Sequence, residues 1–533
     1  MSFPFNAENY RYPSRRRAVF ARRGMVCASQ PLAAQAGLDA LRRGGNAVDA
    51  VLAAAACLTV IEPTSNGLGG DAFAIVWHGG QMYGLNSSGP APALADAAFL
   101  REKYGRMPAH GWYPVNVPGI PAAWAALTGR FGRLTLADTL SAAIDYAGHG
   151  FPVAPVTARF WEQGCRTFAA RGGEFGEWLD TFAPHGRAPR AGEVAYLPRH
   201  AESLCEIAET NAESFYRGRL AGKIDAASRA AGGGWLRAED LAEFYPEWVE
   251  PMSVDYRGFT VHELPPNGHG LVVLETLALL SGLEMGSGDA GDVHRQIEAM
   301  KLAYADGLKY IAEPSAMRVA PSELLGREYL ARRRALIGDT AREPEAGDPH
   351  CGGTVYLCAA DGEGNMVSYI QSNYKGFGSG IVVPGTGIAL HDRGCNFSLE
   401  EGAANCLAPG KRPYHNIIPG FLTKDGRAVG PFGVMGAFMQ PQGHVQAVMN
   451  MLDFGCNPQE ALDAPRWQWT GGKRIELEPG FDETVAEELR RRGHEIAVAD
   501  PYECGRGQII WRDDEGTLCG ATEPRADGGI AGY

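Results

Sequence analysis

The sequence predicts a mixed α+β protein, and three observations carry the prediction. Alanine-rich segments with helical spacing dominate the chain to about residue 330, and short β-type runs broken by glycine follow His350. The third is capacity: 533 residues, 45% apolar and 21% charged, suffice to bury one or more large cores. Glycine is abundant, at 70 residues, but shows no Gly-X-Y period, so it belongs to turns and tight backbone approaches rather than to collagen.

Taken in order, Pro31 to Arg43 has helical spacing and stops at Gly44-Gly45. Asn46 then caps a second helix, Ala47 to Ile61, whose surface is apolar almost all round and therefore buried between layers. The loop SNGLGGDAF follows. Gly67 to Ala72 fits G-x-G-x-x-A, but it comes after a helix and before a strand-like run, Phe73 to Trp77. A dinucleotide fingerprint needs the reverse order, so the loop reads as a glycine turn. From about 120 to 330 the pattern is mainly helical and includes an amphipathic helix over Val293 to Ile311. The acidic, proline-bearing stretch Asp339 to His350 reads as an exposed, mobile linker.

Net charge is 49 − 62 = −13, which repels nucleic acid and anionic membranes and favours a small-molecule substrate. The arginines Arg11, Arg15, Arg16, Arg17, Arg22 and Arg23 precede no apolar export segment, and the longest apolar run, Ala50 to Ile61, is too short to span a bilayer. Eleven cysteines, an odd number without a C-x-x-C pair, indicate free thiols and a cytoplasmic location. There is no H-E-x-x-H and no Cys/His cluster with ligand spacing, so neither a metal nor a cofactor is expected. The G-x-S-x-G elbow and the phosphate-binding loop are also missing.

The run from Cys351 to Leu357, the turn Asp361-Gly362-Glu363-Gly364 with its loop at 362–364, and the run from Asn365 to Ser372 predict an antiparallel hairpin. If Asp361 faces Asn365, paired numbers sum to 726 and Thr354 stands opposite Ser372. On spacing alone, Thr354 is an ordinary strand start. Behind Gly352-Gly353 it also has a chemical use: its hydroxyl can attack the preceding carbonyl and cut the chain, leaving an N-terminal threonine. The new α-amine, with an ordinary pKa of about 7.7–8.0, can then serve as that residue's own general base.

Over most of its length the chain resembles the gamma-glutamyltransferase family of N-terminal nucleophile hydrolases. The resemblance rests on RRGGNAVDAVLAAAACLTVIEPTSNGLGGDAF, VNVPGIPAAW, WVEPMSVDYRGFTVHELPPNGHG, GGTVYLCAADGEGNMVSYIQSNYKGFGSGIVVPGTG, KRPYHNIIPGF and LDAPRW. It implies a four-layer αββα sandwich formed by two pieces of one self-cleaved precursor, 1–353 and 354–533, cut between Gly353 and Thr354. The pieces associate, with a homodimer as one arrangement. Thr354 matches the family nucleophile and Ser372 its partner hydroxyl, usually a threonine. Gly436 and Ala437 match a Gly-Gly pair whose N–H groups form the oxyanion hole.

The donor anchors of the family match less well. Its large-piece arginine falls at Ser88, an asparagine at Tyr374, a glutamine at Arg393, an ammonium-binding aspartate at Asn396, and a serine pair at His415 and Asn416. Arg393 is therefore expected to clamp an anion, with a structural ion pair as the alternative. Gln440, Gln442 and His444 read as a helix start behind the oxyanion loop, without a role. The resemblance implies cleavage of γ-glutamyl amides such as glutathione, with water or an amine as acceptor. The alternatives are a glutaryl- or oxamate-like acyl group, or a catalytically silent binding protein.

Overall fold

The computed structural model describes residues 16–344 and 353–533. Two seven-stranded antiparallel sheets face one another and carry helices on both outer sides, in the expected αββα order. One sheet runs Val19–Ala21, Leu518–Thr522, Arg506–Arg512, Arg427–Met435, Gly420–Lys424, Phe259–Glu263 and Met252–Tyr256. The other runs Gly529–Gly532, Gly24–Ala28, Gly353–Asp361, Met366–Tyr374, Asp71–His78, Gln81–Ser87 and Glu247–Val249. Each sheet thus interleaves strands from both sides of the Gly353–Thr354 bond.

The helix Ala47–Ile61 lies on the second sheet beneath Pro31–Arg42 and Leu136–His149, with all 15 of its residues buried. Its start is set as the sequence predicts. Asn46 Oδ1 accepts the Val48 and Asp49 N–H groups, and Asp49 accepts the Asn46 N–H at 2.8 Å, closing a capping box. Outside the first sheet pack Gly270–Leu280, Ala290–Tyr310 and Met439–Leu452, the last directly behind Arg427–Met435.

The hairpin register is the predicted one from Val355↔Gln371 to Ala360↔Met366, each pair summing to 726. At its open end Gly353 pairs with Tyr374, so an irregularity falls on Thr354. The mainly helical reading of 120–330 omitted five strands, the two-residue pair Phe151–Pro152 and Val194–Ala195 and then Glu247–Val249, Met252–Tyr256 and Phe259–Glu263. The last two are joined by a two-residue turn with both residues at positive φ, Arg257 (50°) and Gly258 (80°), a mirror-type turn formed without the usual Asn-Gly signal. Of the acidic stretch, 339–344 is irregular and Ala341 donates its N–H to Arg492 O at 2.7 Å. Residues 345–350, together with Arg11, Arg15 and Cys351, lie outside the described residues. None of the described cysteines is in a disulfide, and no described helix is long and apolar enough to cross a membrane.

Candidate active site

Three adjacent strands assemble the site. Thr354 and Ser372 place their hydroxyl oxygens 3.1 Å apart, both fully buried. Ser372 pairs in turn with Asp71 on the next strand, and directly opposed residues share a face of the sheet. The close approach of the glycine loop to this sheet explains its composition. A Cβ on Gly70 would lie 2.4 Å from the Ser372 carbonyl oxygen and 2.6 Å from Asn373 Oδ1, so no larger residue fits. The loop is more than a turn, because it delivers Asp71.

Asp71 is the electrostatic hub. Its Oδ2 meets Arg393 Nε at 3.1 Å, His415 Nε2 at 3.0 Å and His391 Nδ1 at 3.2 Å. Burial alone would raise its carboxyl pKa, but the facing His391 and His415 outweigh burial and hold it well below the usual range. Burial, and then the Arg393 charge, push His415 down to about 3 against the opposing pull of Asp71. His415 is thus a neutral ring that donates from Nε2 to Asp71, while its Nδ1 accepts the Ile417 N–H at 3.4 Å.

Arg393 is fully buried and forms the ion pair named as its structural alternative. Its Nε is committed to Asp71, its Nη1 donates to Asn416 Oδ1, and its carbon lies 4.6 Å from the Tyr374 ring centroid. Among the described residues, however, its Nη2 has no hydrogen-bond partner, and neither do the buried Nδ2 groups of Asn416 and Asn373. Each such orphaned donor carries a desolvation cost of about 1–3 kcal/mol that an acceptor would offset.

Among the other expected residues, Tyr374 has φ 76° and donates its N–H to Ser372 Oγ at 2.7 Å, which orients the partner hydroxyl. Gly436 (φ 136°) and Ala437 (φ 52°) form a left-handed step before the helix Met439–Leu452. Their carbonyls accept the N–H groups of Met439 and Gln440 at 2.9 and 3.1 Å. Asn396 donates its side chain to Tyr414 O at 3.1 Å. Ser88 is bound into a network with Asn86 (2.7 Å) and Asn267.

Sequence reasoning overlooked Asp71, His391, Asn373 and Gln440. Gln440, read as having no role, places Nε2 3.5 Å from Thr354 Oγ1 and accepts the Ile418 N–H at 3.0 Å. Asp71 was visible inside the glycine loop but was read only for its turn.

A cavity of about 270 Å³ opens beside Gly436, lined also by Thr64, Ser65, Gln163, Lys375 and Arg506. Hollows of about 510 and 790 Å³ lie elsewhere, and of the expected site residues only Ser88 lines either one. Of the three, the smaller cavity is the one that reaches Gly436.

An αββα sandwich with a paired threonine and serine at the open end of a central hairpin defines the class of N-terminal nucleophile hydrolases. Within it, this chain belongs to the gamma-glutamyltranspeptidase family, which matches residues 33–533. The crystal structure of a cephalosporin acylase from Bacillus halodurans is similar at 55% identity and TM-score 0.95, covering 99% of each chain. The glutathione hydrolase-like YwrD proenzyme of Bacillus subtilis is 34% identical over 97% of this chain and 99% of its own. The oxamate amidohydrolase proenzyme of Klebsiella pneumoniae is 35% identical over 96% and 98%.

Proposed function

We propose that this protein is a self-processing amidohydrolase that carries a carboxylate-bearing acyl group on Thr354 and transfers it to water. In this reading the precursor is cut between Gly353 and Thr354, giving pieces 1–353 and 354–533. The freed α-amine takes the Thr354 hydroxyl proton as Oγ1 attacks the amide carbonyl, and Ser372 and Gln440 orient that oxygen. The Gly436 and Ala437 N–H groups receive the oxyanion, a contribution of roughly 2.7–4 kcal/mol per donor. The amine then protonates the leaving nitrogen, and water, activated by the same amine, releases the acid.

The observation that carries the reading is the unpartnered Nη2 of buried Arg393 beside the unpartnered Nδ2 of Asn416. These are two donors suited to one carboxylate. Asn396 supplies no charge for an α-ammonium, which favours glutaryl- or oxamyl-type groups over γ-glutamyl. The acylase and oxamate amidohydrolase names of similar proteins agree with this. A second reading, γ-glutamyl amides such as glutathione, is favoured by the YwrD relative's name.

A donor panel on processed protein tests both. The proposal expects kcat/KM for glutaryl amides to exceed that for γ-glutamyl amides by about tenfold or more. It also expects Arg393→Gln to lose at least about tenfold on carboxylate-bearing donors, with processing intact and partial recovery in Arg393→Lys. Unchanged kinetics in Arg393→Gln would remove the carboxylate clamp, and a preference for γ-glutamyl donors would install the second reading.

A further inference from the structure

On the far side of the first sheet, away from Thr354, a second cluster of ligand-type side chains is buried. His294 and Glu298 lie one turn apart on the helix Ala290–Tyr310, and His494 follows the helix Glu483–Arg491. One ligand atom from each lies within 4.8 Å of the others. The sequence contains no contiguous metal motif because the two histidines are 200 residues apart, and only the fold brings them together.

We propose that His294 Nδ1, His494 Nε2 and the Glu298 carboxylate form a site for a divalent transition ion of the zinc type. The ring orientations are already those of a ligand set. His294 Nε2 donates to Gly338 O at 2.8 Å, which fixes its tautomer and leaves the Nδ1 lone pair directed at His494 Nε2, 2.8 Å away. Two nitrogens on one tetrahedral zinc ion stand about 3.3 Å apart, so the rings need to separate by only about half an ångström. As the ion enters, the proton shared between the rings passes to His494 Nδ1, which has no partner among the described residues, or to solvent. Two imidazoles and a carboxylate leave the fourth position to water.

The arrangement of the surroundings suggests what the ion does. Glu298 also accepts Lys301 Nζ at 2.7 Å and the Arg342 N–H at 3.2 Å, and Lys301 donates to Arg342 O at 3.1 Å. The ligands therefore join a helix of the segment before Gly353, its irregular stretch at 338–342 and the segment after Thr354. If the chain is cut as proposed, the ion clamps two pieces that no longer share a covalent bond. Lys301 competes for Glu298, so the ion is exchangeable rather than permanently locked in.

The test uses full-length purified protein, stripped with chelator and titrated with Co²⁺ and with Zn²⁺. The expected result is one equivalent bound, with the visible absorption of four-coordinate Co²⁺, displacement by Zn²⁺ and a higher unfolding temperature with Zn²⁺. His494→Ala and His294→Ala, checked for folding by circular dichroism, should each bind at least about tenfold more weakly and lose the Zn²⁺-dependent thermal shift. Thr354→Ala should bind as the parent does. Failure of the parent to take up an equivalent, or a folded His494→Ala or His294→Ala variant that binds as the parent does, would overturn the proposal.

Discussion

At the residue scale, the site is built from strained backbone at Tyr374 and at Gly436-Ala437 and from one buried ion hub. Ala437 occupies the left-handed region, where a Cβ costs about 1–2 kcal/mol and glycine costs little. Ala437→Gly should therefore shift the denaturant midpoint upward, by the equivalent of about 1 kcal/mol, while keeping the N–H in place. A lower midpoint would show that the methyl group's packing outweighs the strain. The Asp71 hub has a different signature, because its neutral His415 titrates only on unfolding. The pKa of His415 is depressed to about 3, that of His444 to about 3 and that of His200 to about 4, each first by burial. Below the ordinary histidine value of about 6.5 the unfolded chain binds protons that the folded chain refuses. Stability is thus full above that pH and is lost progressively as pH falls toward 3–4. Denaturant midpoints measured from pH 7.5 to 4.5 should fall steadily, and a flat profile would contradict the neutral, buried histidines.

At the scale of elements, the central helix and the hairpin that carries Thr354 and Ser372 were legible in the sequence for identifiable reasons. Asn46 and Asp49 are a capping pair readable from their spacing, and the turn after Asp361 fixed a register that put Thr354 beside Ser372. Asn46→Ala should cost about 1–2 kcal/mol, because it removes the cap and also the donation from Asn46 Nδ2 to Phe131 O at 2.6 Å. Chemical denaturation measures this directly. The remainder was not legible because it depends on contacts distant in sequence. Asp71 acquires its role only when Arg393, His391 and His415 converge on it from two other loops. Gln440 is one residue into a helix whose placement behind the sheet no local pattern reveals. The Arg257-Gly258 turn lacked the residues that usually announce a hairpin, which hid two strands.

At the scale of the whole molecule, neither proposed piece contains either seven-stranded sheet in full. Residues before Gly353 would lose the two strands at the middle of the second sheet, and those after it would lose the strand that carries Asp71. Piece 1–353 expressed alone should therefore remain unfolded by circular dichroism, whereas processed protein should keep both pieces together in native gel filtration and separate only in denaturant. A soluble, folded 1–353 would contradict the interleaving. The central claim, that Thr354 both cuts the chain and carries the acyl group, is tested most directly by N-terminal sequencing of the smaller fragment of purified protein. The account predicts a fragment that begins Thr-Val-Tyr-Leu and is absent from Thr354→Ala, which should run as one inactive chain. A different first residue, or an uncut parent chain that turns over substrate, would contradict it.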